Sequence, residues 1–138
     1  MDTISFGGGA GGAFSDNVTP RATVALLQAM RKRDDWPTYR AALPVLGVDG
    51  TLADVVPADS PAKGKVMAKT GTLSYGDVMN DRALLRSKAL GGVMTTKEGR
   101  ELTFAVFVND VPLPRGVTSS REGKVLGKLA EIIQQNAP

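Results

Sequence analysis

The chain has 138 residues, 42% of them hydrophobic, which is enough apolar material for one buried core and too little length for two independent domains. Seventeen basic and 14 acidic residues leave a formal charge of +3 dispersed along the chain, and only 5% of residues are aromatic, so a nucleic-acid surface built on basic patches and base stacking is not indicated. With no cysteine and no histidine, the chain cannot itself build a disulfide, a Ser-His-Asp or Cys-His site, or a His-rich zinc site; acid–base chemistry falls to lysine, tyrosine, carboxylates or water.

Residues 1–18 read as a flexible glycine-rich lead-in. The run Gly7-Gly8-Gly9-Ala10-Gly11-Gly12 lacks the preceding apolar strand and the following Lys-Ser/Thr of a phosphate loop. Thr19 is a good N-cap and Pro20 suits the first helical position, which predicts a helix to about Lys32 with Val24, Leu27 and Met30, and Leu26 alongside, on its buried face. The basic run Arg31-Lys32-Arg33 is followed at once by Asp34-Asp35 and reads as a solvated helix end. Trp36 to Leu43 reads as a short second helix stopped by Pro44, with Trp36 and Tyr39 sharing a face. The glycines of Val45 to Val56 suggest a turn and a short helical piece.

Three strands are expected next, over Lys65–Leu73, Lys88–Thr95 and Leu102–Val108. The last two are joined by the hairpin-length turn Thr96-Lys97-Glu98-Gly99-Arg100, whereas Ser74 to Ser87 reads as a long connection that either shapes access to a site beside it or is a plain surface excursion. A final helix is expected to begin with a Ser119/Glu122 capping box. Its stripe of Val125, Leu126, Leu129, Ile132 and Ile133 is expected to cover one face of the sheet. The result is an α+β arrangement.

The informative stretch is Lys69-Thr70-Gly71-Thr72 at the end of the first of these strands. A cation, a hydroxyl and a residue without a side chain form a strand edge able to receive a carboxylate and a closely approaching backbone; an ordinary strand end with a solvated lysine is the plainer alternative. Ser60-Pro61-Ala62-Lys63 spells Ser-x-x-Lys, but its proline, the following Gly64 and its place in the loop entering that strand argue for a turn rather than a nucleophile. Ser15-Asp16-Asn17 spells Ser-x-Asn, and its setting before Thr19 reads as a helix cap region.

Around this tetrad, Ser15–Arg21, Leu43–Leu52, Ala68–Leu73, Ala89–Thr96 and Phe104–Asn109 occur in an order that closely resembles the C-terminal part of the D-alanyl-D-alanine carboxypeptidase/endopeptidase family, the class C low-molecular-mass penicillin-binding proteins. The resemblance runs over about residues 7–135. It implies the antiparallel-sheet portion of a penicillin-binding fold, with N-terminal helices and a C-terminal covering helix. It also implies a serine D,D-peptidase acting on peptidoglycan stem peptides and acylated by β-lactams, working outside the cytoplasmic membrane and needing neither cofactor nor metal. By the same resemblance, Lys69 assists proton movement around the serine and Thr70 donates to the substrate carboxylate. Gly71 permits close approach, and Thr72 offers its N–H to the oxyanion.

The family's Ser-x-x-Lys and Ser-x-Asn motifs normally lie upstream of the segments present here. The expectation is therefore a partial catalytic domain that is inactive alone, completed by an upstream segment or by self-association. A non-catalytic folding or interaction module of the same fold is the alternative. The N-terminus lacks the basic-then-apolar pattern of a signal peptide, so a signal or anchor is expected to belong to upstream sequence.

Overall fold

A computed structural model describes residues 4–137. A two-residue strand β1 (Ile4–Ser5) pairs antiparallel with β2 (Asn17–Val18), closing the glycine-rich segment into a loop. Asp16 organises that loop by accepting from the N–H groups of Gly7, Gly8 and Ala13 at 2.8, 3.2 and 3.1 Å. These bonds to the charged form hold its carboxyl below the usual carboxylate range.

Helix α1 (Pro20–Met30) starts as the sequence predicts, with Thr19 Oγ1 accepting from Ala22 N at 3.2 Å. Leu27 is buried and Val24 and Met30 are half-buried, but Leu26 is 58% exposed and does not belong to the packed face. Helix α2 (Trp36–Ala41) follows, with Trp36 and Tyr39 stacked at 5.7 Å between ring centroids. Arg33 pairs with Asp35 at 2.8 Å, while Arg31 reaches Glu101 at 2.7 Å and Arg40 reaches it at 3.6 Å.

The main sheet is antiparallel, in the order β3 (Val66–Asp77), β4 (Arg82–Thr95), β5 (Glu101–Pro112). The expected strands are all present but longer. Ser74 to Ser87 is not a surface connection: it is the far end of the β3–β4 hairpin, turned over Val78–Asn80 and Asp81. Apolar and polar residues do not alternate regularly along it, although Leu85 within it is fully buried. The turn is held by Asp77, which accepts from Arg82 and Asn80 at 2.8 Å. The β4–β5 turn is the expected Thr96–Arg100 segment, with Gly99 at φ +84°.

Two layers sandwich the sheet. Helix α1 lies against β4 and β5 on one face, where Gly91 leaves room for Thr23. The opposite face carries Val66, Ala68, Leu90, Met94 and Phe104 and packs against Leu46, Leu52, Val56, Ala62, Leu126 and Ala130. The last two belong to α3 (Ser120–Asn136).

The C-terminal helix therefore covers the sheet as expected, but in a different rotation. Its buried stripe is Leu126, Gly127, Ala130, Glu131 and Gln134, while Val125, Leu129 and Ile132 point outward. The reason is Gly127, whose missing side chain lets the helix meet Val55; a Cβ there would lie 2.0 Å from Val55 Cγ1. The capping box is also absent. Ser119 precedes the helix without a side-chain cap and instead accepts from Lys88 Nζ at 3.3 Å, and Glu122 Oε2 is buried without a partner.

Candidate active site

The tetrad lies on β3, an edge strand of the main sheet. The start of that edge is covered: Val66 O accepts from Leu46 N and Ala68 N donates to Pro44 O, each at 2.9 Å. Lys65 O, by contrast, accepts from Thr95 N on the β4 side at 2.9 Å. Backbone groups alternate along an antiparallel strand, so even-numbered residues turn theirs away from β4 until the register shift between Leu73 and Ser74. Cover from the Pro44–Leu46 segment ends at Ala68, and the next outward-facing peptide groups belong to Thr70 and Thr72.

Side chains divide between the two faces by the same period. Lys69 and Gly71 share one face, whereas Thr70 and Thr72 share the α3 face with Val66 and Ala68. Lys69 is exposed and its Nζ folds over the edge to donate to Thr70 O at 2.9 Å. A Cβ at Gly71 would meet only Ala89 Cβ, at an ordinary 3.6 Å, so nothing within the chain demands glycine there. Thr70 Oγ1 is 3.1 Å from Thr51 Oγ1, in the short helical turn Gly50–Leu52.

Between the Thr70/Thr72 side of the sheet, the Gly50–Val55 segment and the first turns of α3 lies a cavity of about 390 Å³. Its polar lining includes Thr51, Thr70, Thr72, Asp54, Lys88 and Lys124. Sequence reasoning did not single out Lys88, although a signal was present. In the alternation Lys88, Leu90, Gly92, Met94 it is the one charged residue on the strand's buried face.

The two motif look-alikes are elsewhere engaged. Ser60 is buried in a turn, with its Oγ donating to Glu131 Oε2 and accepting from Ala62 N at 3.2 Å. Lys128 donates to the other oxygen of Glu131, and the two bonds, that from Lys128 foremost, hold this carboxyl below its ordinary value of 4.5. Ser15 is exposed in the β1–β2 loop beside Gly7. Among the described residues there is no cluster of acidic side chains suited to a metal ion and no helix long and apolar enough to cross a membrane.

The model of the D-Ala-D-Ala carboxypeptidase 3 (S13) family matches residues 1–126. D-alanyl-D-alanine carboxypeptidase DacB of Haemophilus influenzae is 32% identical over 93 residues, which are 67% of this chain and 17% of that protein. The chain thus spans about a sixth of the length of this curated relative. Penicillin binding protein 4 (dacB) from the same organism is similar in structure at TM-score 0.63, with 22% identity over 89% of this chain and 26% of that one. A second structure of it, complexed with a β-lactam, gives TM-score 0.71 and 22% identity over 97% of this chain and 29% of the other. The TLA-1 extended-spectrum β-lactamase superposes at TM-score 0.58 with 15% identity, over 96% of this chain and 50% of that one. The architecture is therefore the sheet portion of the fold shared by penicillin-binding proteins and serine β-lactamases.

Proposed function

The chain belongs to the D-Ala-D-Ala carboxypeptidase 3 (S13) family, and on that premise we propose that it supplies the Lys-Thr-Gly wall of a serine D,D-peptidase site acting on D-alanyl-D-alanine peptides of peptidoglycan. The observation that carries this reading is the register of β3. Its edge is sealed as far as Ala68 and opens at Thr70 and Thr72, whose peptide groups face outward while their hydroxyl side lines a cavity. A peptide laid along this edge gains backbone bonds from Thr72 on one strand of contact, in the manner of β-augmentation.

In the completed site a serine oxygen attacks the carbonyl of the terminal D-Ala–D-Ala bond, the terminal D-alanine leaves with a proton, and water then hydrolyses the acyl ester. Lys69 provides positive potential and helps move the proton, and Thr70 donates to the substrate's terminal carboxylate. Gly71, free of any packing demand inside the chain, leaves space for the substrate, and Thr72 N–H stabilises the oxyanion. The attacking serine comes from polypeptide outside these residues, since Ser60 is committed to Glu131 and Ser15 sits in the glycine loop.

The same reading gives the outward stripe Val125, Leu129 and Ile132 and the open side of β5 a purpose. They are where the remainder of such a domain packs, either upstream sequence or a second copy of this chain. The site works outside the cytoplasmic membrane, where its substrate is found, and β-lactams acylate it. An inert module of the same fold is the competing reading, favoured by the committed state of Ser60.

Labelling with a fluorescent penicillin followed by intact-mass analysis tests this. The isolated chain is expected to stay unlabelled, and label is expected on an upstream segment of the same domain once the two are combined. Absence of label in the combined protein would leave only the inert module.

A further inference from the structure

We propose that a second cavity, at the start of β3, binds a phosphate-type oxyanion, gripped by the guanidinium of Arg40 and the ammonium groups of Lys65 and Lys97. This does not depend on the reading of Lys69–Thr72 as a peptide wall.

The cavity has a volume of about 330 Å³ and lies where three separate pieces of chain meet. Arg40 comes from the last turn of α2, Lys65 from the position that precedes β3, and Lys97 from the β4–β5 turn. Met67 and Val93, Cα partners across the β3–β4 ladder, form part of its apolar wall. It shares no lining residue with the cavity beside Thr70 and Thr72.

Both lysines rise from backbone that the fold already holds. Lys65 N donates to Ala62 O at 3.0 Å and Lys65 O accepts from Thr95 N at 2.9 Å, while Lys97 N donates to Gln134 O at 2.9 Å. The segments that carry the two ammonium groups are thus positioned before any ligand arrives.

Arg40 is the informative residue. Its Nε is buried and has no hydrogen-bond partner among the described residues. Its Nη2 is 3.6 Å from Glu101 Oε2, within ion-pair range but too long for a hydrogen bond. Glu101 is itself engaged by Arg31, whose Nη2 reaches the other oxygen at 2.7 Å. Arg33 shows the contrast of a satisfied guanidinium, with Nε and Nη2 both donating to Asp35 at 2.8 and 2.9 Å. A desolvated N–H without an acceptor costs free energy that an incoming anion recovers.

Charge and shape select that anion. Arg40, Lys65 and Lys97 outnumber Glu101 in the lining, and neither lysine has a carboxylate within ion-pairing distance among the described residues. A guanidinium fork takes two oxygens in one plane, and the ammonium groups take further oxygens from other directions. A phosphate group presents its oxygens as a tetrahedron with more than one negative charge, so it engages all three cations together. A carboxylate, planar and singly charged, fills only the fork.

The test titrates the isotope-labelled 138-residue chain with inorganic phosphate, glycerol 3-phosphate and, as a control, acetate, all at one ionic strength. NMR follows the Arg40 Nε–H and the backbone amides of Lys65, Lys97 and Gly99. Phosphate is expected to shift these signals saturably and to bind at least about tenfold more tightly than acetate. Tighter binding of inorganic phosphate than of the ester supports the site and assigns it the free ion; the reverse supports it and assigns esterified phosphate. Arg40→Lys, which keeps the charge and removes the fork, is expected to weaken phosphate binding about tenfold, and Lys97→Gln, in the exposed turn, about threefold. Circular dichroism checks both folds, and Lys97→Gln carries the test if Arg40→Lys does not fold. Phosphate shifts no larger than those from acetate overturn the proposal, by showing charge screening alone. Unchanged phosphate affinity in a folded variant of either kind overturns it as well.

Discussion

Thr72 and Lys88 stand opposite one another on adjacent strands, and both side chains line one cavity beneath α3, although only Thr72 belongs to the Lys-Thr-Gly-Thr stretch. The cavity beside the open edge therefore has depth: its lining includes the second strand and the helix behind it. That geometry separates the contributions of the backbone and side chains of Thr72.

The backbone N–H of Thr72 faces the open edge, so substituting the side chain and substituting the backbone should differ. In the combined enzyme, Thr72→Ala is expected to lower acylation by less than about tenfold. Thr72→Pro, which removes no bond to β4, is expected to leave the fold intact and reduce acylation by about 10²–10³-fold, the range for one lost oxyanion donor. Stopped-flow acylation by a chromogenic β-lactam, with circular dichroism as the folding control, measures both.

Lys69 is exposed and its contact is to its own neighbour's carbonyl, so Lys69→Ala should cost little stability, within ~0.5 kcal/mol. Its effect on acylation in the combined enzyme should be severe. Normal acylation by the Lys69→Ala enzyme would remove Lys69 from the site.

Two glycines make a contrasting pair. Gly71→Ala meets only Ala89 at 3.6 Å and should fold normally while weakening peptide binding along the edge. Gly92→Ala would bring a Cβ within 2.1 Å of Met67 O, a backbone atom that cannot swing away, and should destabilise by several kcal/mol or prevent folding. Thermal denaturation of the two variants gives the comparison.

Glu131 links the turn at Ser60 to Lys128 on α3, and its pKa is lowered by those bonds. A lowered native pKa means that the ionised carboxylate stabilises the fold above its unfolded-state pKa. That contribution is lost as pH falls through the lower native value. Stability should therefore drop on acidification below about pH 4.5, and Glu131→Gln should flatten that limb of a melting-temperature profile. At neutral pH, Ser60→Ala should cost ~1.5–3 kcal/mol, as expected for a hydrogen bond to a buried charged group.

The outward stripe on α3 predicts association. Leu129 is 39% exposed, so Leu129→Glu should leave the melting temperature of the isolated chain nearly unchanged. It should reduce self-association in sedimentation velocity and weaken combination with the upstream segment. Unchanged behaviour in both would show that this face is not a docking surface.

Much of this molecule is written locally. The Thr19 cap with Pro20, the stop at Pro44, the β4–β5 turn and the apolar alternation of the three strands depend on neighbours a few residues apart, so the sequence determines them by itself. The order of its motifs likewise determined the family. What only the tertiary structure decided depends on residues far apart in the chain. Val55 against Gly127 rotates α3 and turns Leu129 outward; the ladder, rather than an apolar pattern, extends the hairpin through Ser74–Ser87; and Glu131 claims Ser60 from 71 residues away. The pairing of Thr72 with Lys88 is of this second kind. In sequence Lys88 is only the first residue of an expected strand, and its place beside Thr72 exists only once the ladder sets the two opposite one another and α3 closes over both.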